Sequence, residues 1–86
     1  MKTKFYKKTK HYYRVSPTGN AEQVTAFRTR FGIIHDDKRV FDLPSFEDDE
    51  DSENKKKVML KLGIEEITEV QYDRIRKLVL AKILLS

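Results

Sequence analysis

Residues 58–72 read VMLKLGIEEITEVQY, and two periodicities meet inside them. Val58, Leu60, Leu62 and Ile64 alternate with Met59, Lys61 and Gly63, the period of two that a half-buried strand requires. Thr68 and Gln71 then stand at the spacing of a capping box. Ile67 and Tyr72 occupy staple positions around it, and Glu69 suits the positive end of a helix dipole. Beyond that start, Tyr72, Ile75, Val79 and Ile83 recur as one helical stripe widened by Leu78. The pattern predicts a strand leading into a helix from Glu69 to near Leu85, and therefore an α+β fold.

The remaining elements lie upstream. His11 to Ser16 is rich in β-formers (Tyr12, Tyr13, Val15), and Pro17-Thr18-Gly19-Asn20 supplies turn chemistry after it. A return strand is expected from Glu22 to Ile34. Its apolar positions change parity between Ala26 and Phe27, which predicts a bulge or bend there. His35 to Lys38 reads as a second turn, and Arg39 to Leu43 as a short strand ended by Pro44. Residues 1–10 contain no acid and read as a flexible basic arm, or as an edge strand if a partner orders them. The expected architecture is a small antiparallel sheet of three to four strands with one C-terminal helix packed on it. Residues 11–86 would form that single domain, with an acidic loop at 44–57.

Composition removes several classes of function. With no cysteine, disulfide frameworks and thiolate metal sites are excluded. His35-Asp36-Asp37 is the one cluster of metal-capable residues, and adjacent turn residues with only His11 to join them do not make converging ligands. The serines lack a nucleophile-elbow context, Glu65 and Glu66 point to opposite sides of an extended segment, and the three glycines are isolated. Glu47 to Glu53 lacks the alternation and central glycine of a calcium loop. The expectation is a non-enzyme with no cofactor, no metal and no small-molecule substrate.

Charge and surplus hydrophobicity point to binding. Residues 1–43 carry ten basic and four acidic groups, residues 44–54 six acids and no base, and residues 55–86 eight basic and four acidic groups. Two basic blocks thus flank an acidic one. Lys4, Lys7, Lys8, Lys10 and Arg14 interleave with aromatic residues including Tyr12, the combination that neutralises phosphates and stacks on unpaired bases. At the other end, Leu80, Leu84 and Leu85 fall off the core stripe and are expected to meet a protein partner or a second copy.

The run from Ile64 to Tyr72, IEEITEVQY, resembles helix starts in small accessory proteins of bacteriophages and mobile elements. The resemblance implies a setting in which short proteins work by binding, including incorporation into a virion. The leading expectation is a non-catalytic assembly or accessory protein that binds itself or a larger complex through its C-terminal helix. A nucleic-acid-binding regulator is the alternative, and an acidic-loop inhibitor of a basic partner the second alternative. The start of the chain lacks an apolar signal region, and its longest apolar run, Leu78 to Leu85, is far short of a membrane span. The location expected from sequence is cytoplasmic, or within a virion, without a membrane partner.

Overall fold

The computed structural model describes residues 3–43 and 52–85. Four strands follow one another as an antiparallel meander: β1 (Lys4–Lys8), β2 (His11–Val15), β3 (Asn20–Phe27) and β4 (Arg30–Asp37). Helix α1 (Ser52–Leu62) comes next, then a three-residue strand β5 (Ile64–Glu66) and helix α2 (Glu69–Leu85). β5 pairs with the outer side of β1, giving the order β4-β3-β2-β1-β5. This is an α+β fold with its C-terminal helix on the sheet, as the sequence predicts, but with five strands rather than three or four and with a second helix.

Strand register divides the side chains between two faces. Tyr6 lies opposite Tyr13, and Val15 opposite Ala21, so these four share one face. There they form a buried cluster with Leu43, Ile64 and the α1 residue Met59, with Phe41 packed against it. Burial pushes the Tyr6 phenol up to about 12, helped by the charge of Glu66. The opposite face carries Phe5, Tyr12, Val24, Ala26, Phe31 and Ile33, which pack with Ile67, Tyr72, Ile75 and Val79 around α2. α2 thus packs across one face, while α1 covers the other only toward its β1–β5 edge.

Six expectations need correction. The segment read as a flexible basic arm at 1–10 contains β1, which is hydrogen-bonded on both sides, by β2 and by β5. Its basic composition concealed a strand whose central residue, Tyr6, is among the most buried in the protein. The parity change near Ala26 is not a bulge. Phe27 pairs with Arg30, so Arg28 and Thr29 form a two-residue hairpin loop, with Arg28 at φ 53°. The β1–β2 connection is of the same length, with Thr9 at φ 51°. Neither loop has the Asn or Gly that normally announces such a turn.

Arg39 to Leu43 is a turn rather than a strand, although Leu43 is buried and Phe41 packs beside it as an apolar residue should. His35 to Asp37 ends β4 instead of forming a turn. Finally, Val58 to Leu62 belongs to α1. The competing period was present: Lys55, Val58 and Met59 are its inward positions, at helical spacing, and Gly63 ends the helix at φ 71°. Only Ile64 of the expected strand is extended. The loop expected at 44–57 is helical from Ser52, and its residues 44–51 lie outside the described residues.

Because β1 holds β5 to the sheet, it is structural. Deleting residues 1–10 should abolish cooperative folding, seen as loss of the thermal unfolding transition by circular dichroism. Tyr6→Ala alone should cost about 3–5 kcal/mol in urea titration, the range for truncating a buried aromatic residue. A deletion that still melts cooperatively would return residues 1–10 to a dispensable arm.

Candidate interaction surface

How α2 sits on the sheet decides what it leaves exposed. Its start is fixed by the capping box: the Gln71 backbone N–H donates to Thr68 Oγ1 at 3.2 Å, and the Thr68 N–H donates to Gln71 Oε1 at 2.9 Å. Ile67 is tied to the sheet by its N–H, which donates to the Phe5 carbonyl at 3.0 Å, and it packs in the same cluster as Tyr72. From there α2 crosses β2, β3 and β4.

A buried carboxylate fixes its rotation. Glu22, at the same parity of β3 as Val24 and Ala26, is only 2% exposed. One of its oxygens accepts the Tyr72 hydroxyl and the Arg76 Nε–H, the latter at 2.9 Å. The other accepts His35 Nε2–H at 2.7 Å and Arg14 Nη2–H at 3.3 Å, with Arg76 Nη2 at 3.5 Å. Arg14 lies directly opposite Glu22 in the β2–β3 register, and His35 opposite it on β4. The Arg14 guanidinium also stands 5.8 Å from the Tyr72 ring centroid. Donors from two strands and the helix therefore converge on one side chain of a third strand.

The electrostatics follow from that convergence. Burial pushes the Glu22 carboxyl up, but the hydrogen bonds from Tyr72, Arg76 and His35 and the charge of Arg14 outweigh it, leaving a net downward shift. Burial, together with the bond to Glu22, pushes the Tyr72 phenol far above its ordinary value. Among the described residues no buried side-chain nitrogen or oxygen lacks a partner. Each Glu22 oxygen thus accepts at least two hydrogen bonds.

Tyr72 and Val79 are fully buried against the sheet, and Ile75 is half-buried. At about 100° per residue, Val70, Leu78, Ala81, Leu84 and Leu85 centre roughly 160° away from Tyr72 and Val79. All five are exposed, Leu84 and Leu85 at 82% and 84%. The sheet leaves all five uncovered, with Arg74 and Lys77 between Val70 and the group at Leu78, Ala81, Leu84 and Leu85. Of the residues expected to bind a partner, Leu84 and Leu85 lie on the open face, whereas Leu80 is half-buried at its border. Ile83, expected in the core stripe, is 39% exposed. Val70 and Ala81 were missed; reading the helix for a second stripe would have found them.

Of the residues expected to contact nucleic acid, Lys7, Lys10 and Tyr12 line one groove, whereas Lys4, Lys8 and Arg14 are placed elsewhere. Lys4 and Lys8 share the α1 side of the sheet with Tyr6. Arg14 is committed to Glu22, and Tyr12 is packed in the α2 cluster. Lys7 lies 5.6 Å from the Tyr12 ring centroid, and Lys10 lies 4.6 Å from that of Phe27. Elsewhere, Asp37 is bound by Arg39 at 3.1 Å and Glu66 by Lys55 at 3.4 Å. Residues 47–51 of the acidic run lie outside the described residues, so the inhibitor reading gains no structural support.

No protein-family model, curated protein or solved structure matches this chain. Among the described residues no helix is long and apolar enough to cross a membrane.

The Glu22 network sets an acid limit on the fold. A carboxyl whose folded-state pKa is depressed contributes stability at pH values above its unfolded pKa, and that contribution is lost as pH falls through the folded value. Stability from urea titration should therefore fall below the usual carboxylate range of ~4. Glu22→Gln should flatten that dependence. Glu22→Ala should cost about 3 kcal/mol at neutral pH, because two arginines lose their counter-charge, while Tyr72→Phe should cost about 1–2 kcal/mol. Equal acid profiles for wild type and Glu22→Gln would show that the carboxylate does not govern the limit.

Proposed function

We propose that the protein is a non-catalytic assembly component that associates with a second copy of itself through the outer face of α2. The observation that carries the reading is the apolar stripe Val70, Leu78, Ala81, Leu84 and Leu85, opposed to the face that packs on the sheet. Leu78, Ala81, Leu84 and Leu85 cluster at the C-terminal half of that face, and exposed apolar side chains gathered on a small domain mark an interface, since leaving them in water is costly. A single stripe is self-complementary about a two-fold axis, which is how closed homodimers are most often built. Ala81 near the middle of the stripe permits two helices to approach closely.

Small accessory proteins of phages and mobile elements, which the start of α2 resembles, work by binding in this manner. The assembly reading extends to incorporation of the dimer into a larger complex such as a virion. The Glu22 network supports it indirectly, by fixing the rotation of α2 and therefore which residues face outward.

The test uses the exposed pair. Wild type should show twice the 10.2 kDa chain mass by light scattering at high micromolar concentration. Leu84→Glu/Leu85→Glu should run at the mass of one chain, because charges desolvated in an apolar interface are not tolerated. Its unfolding midpoint, compared under dilute conditions where both are monomeric, should be unchanged. A wild type that stays monomeric overturns the reading, as does a double variant that still dimerises.

A further inference from the structure

A second surface lies at the opposite end of the chemistry, where the two short hairpin loops meet. Thr9-Lys10 and Arg28-Thr29 lie at the same end of the sheet, held together by the Ala26 N–H donating to the Lys10 carbonyl at 3.2 Å. Two open grooves adjoin there. One, of about 550 Å³, is lined by Lys7, Thr9, Lys10, Tyr12, Ala26 and Phe27. The other, of about 340 Å³, continues along α2 past Ile67, Gln71 and Arg74, and shares Lys7 and Tyr12 with the first. Glu65 also borders the second groove and marks its one acidic point.

The cations of this region are available. Lys7, Lys10, Arg28, Arg30 and Arg74 form no ion pair among the described residues, unlike Arg14, Arg39 and Arg76. Phe27 is 40% exposed, with the Lys10 ammonium 4.6 Å and the Arg28 guanidinium 5.2 Å from its ring centroid. A ring flanked by unpaired cations beside a groove fits a ligand that alternates flat apolar faces with negative charges.

We propose that this groove binds single-stranded nucleic acid. A base stacks on Phe27, and the Lys10 ammonium moves from the ring to the adjoining phosphate. Lys7 and Arg28 take the neighbouring phosphates, and the strand runs on toward Arg74 beside α2. Duplex is disfavoured, because its bases are already stacked and cannot present a face to Phe27. Lys7, Lys10, Phe27 and Arg28 lie outside α2, and only Arg74 and Leu78 belong to its outer face, so the centre of the site stands independently of the dimer reading.

Fluorescence anisotropy with short labelled oligothymidylate and oligouridylate tests it, the two probes separating DNA from RNA. Four phosphate contacts at ~0.7 each should give a slope of log affinity on log salt of about −3. Lys10→Gln/Arg28→Gln should reduce that slope to about −1.5. Phe27→Ala should weaken binding by roughly tenfold or more at unchanged slope, since it removes stacking and no charge. The same values are expected in the Leu84→Glu/Leu85→Glu background, which separates this site from dimerisation. Circular dichroism verifies that each variant is folded. Absence of binding to both single strands overturns the proposal. So does equal affinity for duplex, or poly-glutamate competing as well as oligonucleotide while Phe27→Ala has no effect, which would mark an acidic-peptide surface.

Discussion

The Glu22 carboxylate is the point at which the two halves of this chain are joined. Two oxygens receive a tyrosine, a histidine and two arginines, drawn from β2, β4 and α2. A buried carboxylate without such partners would favour unfolding or take up a proton, and with them it holds its charge. The net stability from such a network is modest, since a well-packed apolar group often does as well. Its distinctive contribution is directional. Apolar contacts around Val24 and Val79 would tolerate small rotations of α2, whereas Tyr72 and Arg76 can reach Glu22 from only one rotation.

That constraint matters because the chain is small and uses its hydrophobic residues on two faces of a single sheet. One buried cluster centres on Tyr6 and Tyr13 beneath α1, the other on Val24 and Tyr72 beneath α2. Dividing a modest apolar content between two thin cores leaves neither deep. Aromatic side chains compensate by covering large areas: the Phe5 and Tyr72 rings are 5.4 Å apart, and those of Tyr13 and Phe41 are 5.7 Å apart. Among the described residues, five of the ten large apolar side chains left exposed are on α2.

Much of the α2 side of the fold was legible in the sequence. The capping box at Thr68 and Gln71 works through contacts three residues apart, so local spacing suffices to reveal it. Pro17 to Asn20 identified the β2–β3 hairpin for the same reason. The failures came where local rules were overridden by distant partners. β1 looked like an arm because the five lysines of residues 1–10 are compatible with solvent, and the residues that pair with it as β5 are almost sixty positions away. Thr9 and Arg28 occupy left-handed backbone positions that their side chains do not announce. At Val58 to Leu62 both periods fit, and only the glycine at 63 favoured the helix. Glu22 was detectable in principle: the hairpin register places Arg14 opposite it, at a parity otherwise occupied by apolar residues. The outer stripe of α2 was half seen, through Leu84 and Leu85, and its border was misjudged at Leu80.

The placement of β5 has a consequence for biosynthesis. During translation the meander from β1 to β4 can form from neighbouring segments, but the outer edge of β1 stays open until residues 64–66 have emerged. An open strand edge is a template for pairing with other nascent chains, and lysine on the edge is the usual deterrent. Lys4, Lys7 and Lys8 are carried by that very strand, two of them on the side of its buried tyrosine. The lysines of β1 thus keep an open strand from finding the wrong partner while it waits for one synthesised almost sixty residues later.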